Sequence, residues 1–174
     1  MDSRGQISTL DLVVAAGIFI SILLSVMWAW NSVLLKIDLF ENKRRIYQKG
    51  LDVAELLVTT SGDPANWNEL DVVNSNTVDV IGLVSEDNVL DQEKVNKFGE
   101  IDYDNQREIL GLSKEDFNLT LYNVTDGIGD PLYSFGRYYS DITQVRISRY
   151  AYMNDEIIEL RLMLFYGNST YPTA

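Results

Sequence analysis

Between Leu12 and Leu35 the chain runs 24 residues, LVVAAGIFISILLSVMWAWNSVLL, without a single charge. A helix rises about 1.5 Å per residue, so roughly 20 apolar residues cross a bilayer, and this run is long enough. The buried helix of a soluble domain normally keeps a polar stripe. This run offers only Ser21, Ser25, Asn31 and Ser32. It therefore reads as a membrane segment. Eleven residues precede it, and a polar, acidic stretch follows. The expected organisation is one apolar stem and one hydrophilic head.

Charge divides along the same line. Of 14 basic and 26 acidic residues, positions 1–50 hold six and four, and the remainder eight and 22. The head thus carries −14, which argues against binding nucleic-acid phosphates and suits a solvated surface. Cysteine and histidine are both absent. That removes disulfides, Cys/His zinc sites and every Ser–His or Cys–His catalytic pair. No phosphate-binding glycine loop or nucleophile-elbow motif occurs. No enzyme activity and no cofactor are expected.

The chain opens Met1-Asp2-Ser3-Arg4-Gly5-Gln6. A secretory signal has a 7–15-residue apolar core followed by a small-residue cleavage site. The run here is longer, and no such site follows it. A short basic-Gly-Gln head before an apolar helix resembles the class III signal peptides of archaeal type IV pilin-like proteins. The resemblance implies a prepilin peptidase cut between Gly5 and Gln6, with the helix kept on the mature chain. An uncleaved single-pass anchor is the other reading of the same residues.

Asp11 stands at the start of the apolar run, where a carboxylate is costly in hydrocarbon. Either it pairs with the terminal amine of a neighbouring subunit, or it reaches back to water at the interface. Bacterial type IV pilins carry an acidic residue one position earlier in the mature chain. Gly17, in the run Ala15-Ala16-Gly17, permits close helix contact. Asp11 and Gly17 are the candidate assembly residues.

The helical period continues past the apolar run. Ile37, Phe40, Tyr47, Leu51, Ala54 and Val58 form an apolar stripe, and Thr59-Thr60-Ser61-Gly62-Asp63-Pro64 ends it. One helix from about Ile7 to Val58, roughly 80 Å long, is expected. Beyond it, 61–76 reads as a loop with a buried Trp67. A short strand over Val78–Val84 and helices over Asp87–Phe98 and Tyr103–Leu112 follow. Leu56 to Trp67, Ile81 to Ser85, Leu90 to Val95 and Asp102 to Leu112 are similar in succession to stretches of uncharacterised archaeal pilin-like proteins. After Ser113 the period becomes two: Phe117, Leu119 and Leu121 alternate with polar residues, and Ile142–Tyr152 and Ile158–Leu164 predict a hairpin about Asn154. Tyr133, Phe135, Tyr138 and Tyr139 read as core and strand filling.

The expected fold is α+β: a long N-terminal pilin-type α-helix, apolar in its first half, packed against a small head domain with an antiparallel β-sheet. The domains expected are a prepilin leader (1–5), a hydrophobic transmembrane or filament-core helix (6–36), an amphipathic helix half (37–60) and an extracytoplasmic head (61–174). Three N-x-S/T sequons place possible N-glycosylation at Asn118, Asn123 and Asn168, all expected to face outward. Two acidic clusters, 126–130 and Glu100/Asp102/Asp104, lack EF-hand spacing and read as solvated loops, so no metal site is assigned.

Topology is contested within the sequence. Lys36, Lys43, Arg44 and Arg45 follow the apolar run and favour a cytoplasmic head under the positive-inside rule. The signal-like head and the sequons favour the opposite, and the extracytoplasmic head is adopted.

The resemblance implies a structural subunit, major or minor pilin or pseudopilin, of a type IV pilus-like surface filament. Its partners would be other pilin subunits, the prepilin peptidase, and membrane lipid before assembly. A single-pass membrane-anchored extracellular binding or receptor module is the alternative from another class. A tethered hydrolase using paired carboxylates is a third.

Overall fold

The structure, a computed structural model, describes residues 3–112, 114–125, 127, 129–140 and 144–165, with the backbone alone at 3–10, 34–40 and 42. The chain divides into two compact units, Met1–Arg44 and Arg45–Ala174. The fold is α+β: an N-terminal apolar helix, then a head built on a curled mixed sheet.

Helix α1 covers Ser3–Thr59. Its segment Asp11–Val33 is long and apolar enough to cross a membrane, and none of it is buried. The serines within it do not break the apolar character. Ser21 Oγ donates to the Gly17 carbonyl and Ser25 Oγ to the Ser21 carbonyl, each at 2.8 Å. A hydroxyl bonded back four residues needs no water.

From Arg45 onward α1 belongs to the head. Its buried face is Ile46, Gly50, Val53, Ala54, Leu57 and Val58. Tyr47, placed in the apolar stripe by its spacing, is instead 44% exposed. Ala54 and Val58 are buried as expected, but Ile46 and Gly50 take the buried places expected of Tyr47 and Leu51. A Cβ at Gly50 would press on the side chains of Ile147 and Leu164. The missing side chain lets helix and sheet approach closely. Arg149 Nε then ties the two layers by donating to Glu55 Oε2 at 2.9 Å.

The loop after α1 is a plug. Trp67, on a single 3-10 turn, is fully buried, as the sequence suggests. The strand expected over Val78–Val84 forms only at its end, as β1 (Val84–Glu86). The apolar residues Val78, Ile81 and Leu83 are buried, but their backbone bonds elsewhere. Asp63 N donates to Val80 O, and Leu83 N donates to the Leu57 carbonyl at the end of α1. Those end carbonyls lack intrahelical partners, so the loop completes the helix rather than a sheet.

The helix expected over Asp87–Phe98 starts later. Asp87 and Asn88 form a turn, Val89–Leu90 is strand β2, and α2 covers Gln92–Glu100. Asp91 caps it, accepting from the amides of Glu93 and Lys94. Capping by a carboxylate is a stronger local signal than the apolar pair before it. α3 covers Tyr103–Ile109, with Gly111 at φ +68° just beyond it.

Strands β3 (Asp116–Asn123), β4 (Pro131–Gly136), β5 (Gln144–Met153) and β6 (Glu156–Phe165) complete one sheet, ordered β1-β2-β5-β6-β3-β4. The β5–β6 hairpin turns at Asn154-Asp155, both at positive φ, where expected. β2 pairs parallel with β5, and edge strand β4 was not anticipated. Phe117, Leu119, Leu121, Val145, Ile147, Leu160, Leu162 and Leu164 line the buried inner face.

Candidate functional site

Two surfaces carry chemistry: the uncovered stem and the outer face of the sheet. On the stem, Gly17, Ser21, Ser25 and Ala29 recur every four residues and floor a shallow groove along one helix face, edged by Val14, Ile18, Ile22 and Val26. Small residues at this spacing let two apolar helices approach with backbones close together. A Cβ at Gly17 would meet nothing within 4 Å. Asp11 is exposed. It stands six residues before Gly17, about 120° away around the helix at 3.6 residues per turn. The two candidate assembly residues therefore occupy different faces. Gly5 and Gln6 lie in the backbone of α1. The four-residue repeat is written in the sequence, but its serines register there as polar residues rather than as small ones.

The sequons separate. Asn118 is buried at 6% exposure, against the expectation that its strand side faces water. Its amide donates to Phe135 O at 3.2 Å and Ser134 Oγ at 3.4 Å, and Thr120 Oγ1 donates to its Oδ1 at 2.9 Å. The alternation is real, but the polar side of β3 is buried as well, with Thr120 4% exposed and the Asn118 amide spent on the adjacent strand β4. Asn123 is half-buried at the strand end, where its Oδ1 accepts from Thr125 N at 3.0 Å. Asn168 lies outside the described residues. One of the three sequons thereby stops supporting an extracytoplasmic head.

The same outer face holds a buried ion pair that alternation alone assigns to solvent. Glu159 is 5% exposed. Arg161 Nη2 donates to it at 2.8 Å and Ser148 Oγ at 2.7 Å. The Arg161 guanidinium also lies 4.3 Å from the centroid of the Tyr122 ring. Burial pushes the Glu159 carboxyl up, but Arg161 and Ser148 outweigh it and hold the group below the usual range. Every polar group in this cluster has a partner, so it is poised to hold strands rather than to react.

Two further groups fix the helices to the sheet. Lys94 is buried, and its ammonium donates to the Ser61 and Val84 carbonyls at 2.7 and 3.1 Å. Burial lowers its pKa, with Asp91 opposing. Tyr103 OH donates to Asp116 Oδ1 at 2.7 Å and accepts from Phe117 N at 3.3 Å. Burial and the Asp116 bond raise its pKa. In the acidic cluster 100–104, Asp102 caps α3 by accepting from Asp104 N. Asp126, of the other cluster, lies outside the described residues. Among the described residues no group of three carboxylates is placed to hold a metal ion.

No family model, curated protein or solved structure matches this chain.

Proposed function

We propose that the protein is a structural subunit of a type IV pilus-like surface filament. It is made as a membrane precursor, cut between Gly5 and Gln6, and assembled through its apolar N-terminal helix. The observation that carries this reading is the stem. Asp11–Val33 exposes every apolar side chain, while the head builds its own core from 29 buried apolar residues among those described. A segment the head does not need for folding is free to exchange lipid for other copies of itself. The four-residue stripe Gly17, Ser21, Ser25 and Ala29 supports such exchange, since it suits helix–helix contact more than contact with lipid. The charge-free length serves the precursor, and the acidic head keeps the outer surface solvated.

The test is recovery of the chain in filaments sheared from the surface of the cells that make it. Peptide mass spectrometry of the sheared fraction should contain it, and Gly17→Leu should leave the chain in the membrane and remove it from that fraction. A chain confined to the membrane fraction in both cases would favour a permanent anchor.

A further inference from the structure

The outer face of the sheet reverses the usual sorting. It hides Glu159 and Asn118, yet Tyr150 and Tyr152 are 62% and 56% exposed. Register explains how they gather. Val89 pairs with Tyr152 and Tyr152 pairs with Ile157, so three exposed apolar side chains form one cross-strand row. Glu86, paired with Val89, extends the row. Two tight turns, at Asp87-Asn88 and Asn154-Asp155, bring Asp87 and Asp155 to its rim. These three carboxylates, Glu86, Asp87 and Asp155, are exposed and enter no ion pair among the described residues.

The chain also supplies the complementary chemistry. Lys43 and Arg44 are exposed on α1 and enter no ion pair among the described residues. Exposed tyrosine rings in a row flanked by carboxylates suit a guanidinium or ammonium group, which gains from the ring and the charge together. We propose that this aromatic-acidic row receives the Lys43-Arg44 segment of a second copy of the chain. The proposal deepens the filament-subunit reading by naming a contact between copies outside the apolar stem, and it rests on that reading for its setting.

The test uses the full chain in neutral detergent, which contains no cysteine of its own. One population carries Gln48→Cys, one turn from Arg44, and a second of different mass carries Ser85→Cys, next to Glu86. Oxidation should link the two far more than it links Gln48→Cys to a control, Asp71→Cys. Lys43→Glu/Arg44→Glu in the first population should cut linking about tenfold, the size expected of two exposed ion pairs with a cation–π contact. Glu86→Lys/Asp87→Lys in the second population should restore it to that reversed partner. Linking equal to the control, or unchanged by charge reversal, would overturn the contact. So would charge reversal that releases the chain only from vesicles containing phosphatidylglycerol, since Lys43 and Arg44 would then serve lipid. Filaments that persist with the charge-reversed chain would overturn this contact alone. Absence of the wild-type chain from filaments would overturn the subunit reading and leave the linking result standing.

Discussion

The indole nitrogen of Trp67 donates to the carbonyl of Gly82 at 3.0 Å, and this bond closes the plug beneath the end of α1. Trp67 has no exposed surface, and a Cβ on Gly82 would collide with the Thr60 carbonyl. Trp67→Phe should therefore cost about 1–3 kcal/mol by orphaning the Gly82 carbonyl. Trp67→Ala should cost about 3–5 kcal/mol through the cavity. Gly82→Ala should destabilise although it adds one methyl group. Denaturant unfolding of the full chain in detergent, followed by near-ultraviolet circular dichroism, measures all three.

Lys94 gives a pH signature. Burial lowers its folded pKa below the ordinary 10.5, so the unfolded chain binds the proton more tightly. Stability from this group therefore rises with pH through the window that ends at 10.5. Lys94→Met should flatten that slope. It should also cost about 1–3 kcal/mol at neutral pH, because the Ser61 and Val84 carbonyls lose their donor. Unfolding midpoints across alkaline pH check both.

Tyr103 works in the opposite direction. Its pKa is raised above 10.0 by burial and the Asp116 bond, so its contribution is complete below pH 10 and is lost as pH rises beyond it. Tyr103→Phe should abolish that loss while lowering stability at pH 7 by about 1–2 kcal/mol. The same titration in wild type and variant separates the two residues.

Glu159 governs the acid side. Its carboxyl titrates below 4.5 in the fold, so the stability it contributes is present above that value and is lost as pH falls through the folded pKa. Glu159→Gln should remove this acid dependence and leave Arg161 with only the Tyr122 ring and its strand neighbours. Acid unfolding curves of the two proteins should converge at low pH.

The sequons predict a modification pattern. Asn118 spends its amide on Phe135 O and Ser134 Oγ and has no outward path, whereas Asn123 is half-exposed at a strand end. Glycopeptide mass spectrometry should find Asn118 unmodified in the folded protein and place any glycan of this strand on Asn123.

Periodicity carried the large features. The apolar run, the helix beyond it, buried Trp67 and the β5–β6 hairpin are legible because each follows from spacing or a breaker cluster. Three things were not. Tyr47 lost its place because the close contact was made by Gly50, which carries no hydrophobic signal. Val78, Ile81 and Leu83 read as a strand because burial alone does not say where backbone bonds go. Asn118 and Glu159 read as surface because alternation tells the two faces of a sheet apart without saying what covers the polar one. The candidate site shows the same limit: the stem's length is written in its residues, and its partner is not.

The measurement that bears most directly on the account is the N-terminal sequence and intact mass of the protein taken from its native membrane or filament fraction. A chain beginning at Gln6 is predicted, since the apolar helix would then be kept without its leader. A chain beginning at Met1 would contradict prepilin processing and leave Asp11–Val33 as a permanent membrane anchor.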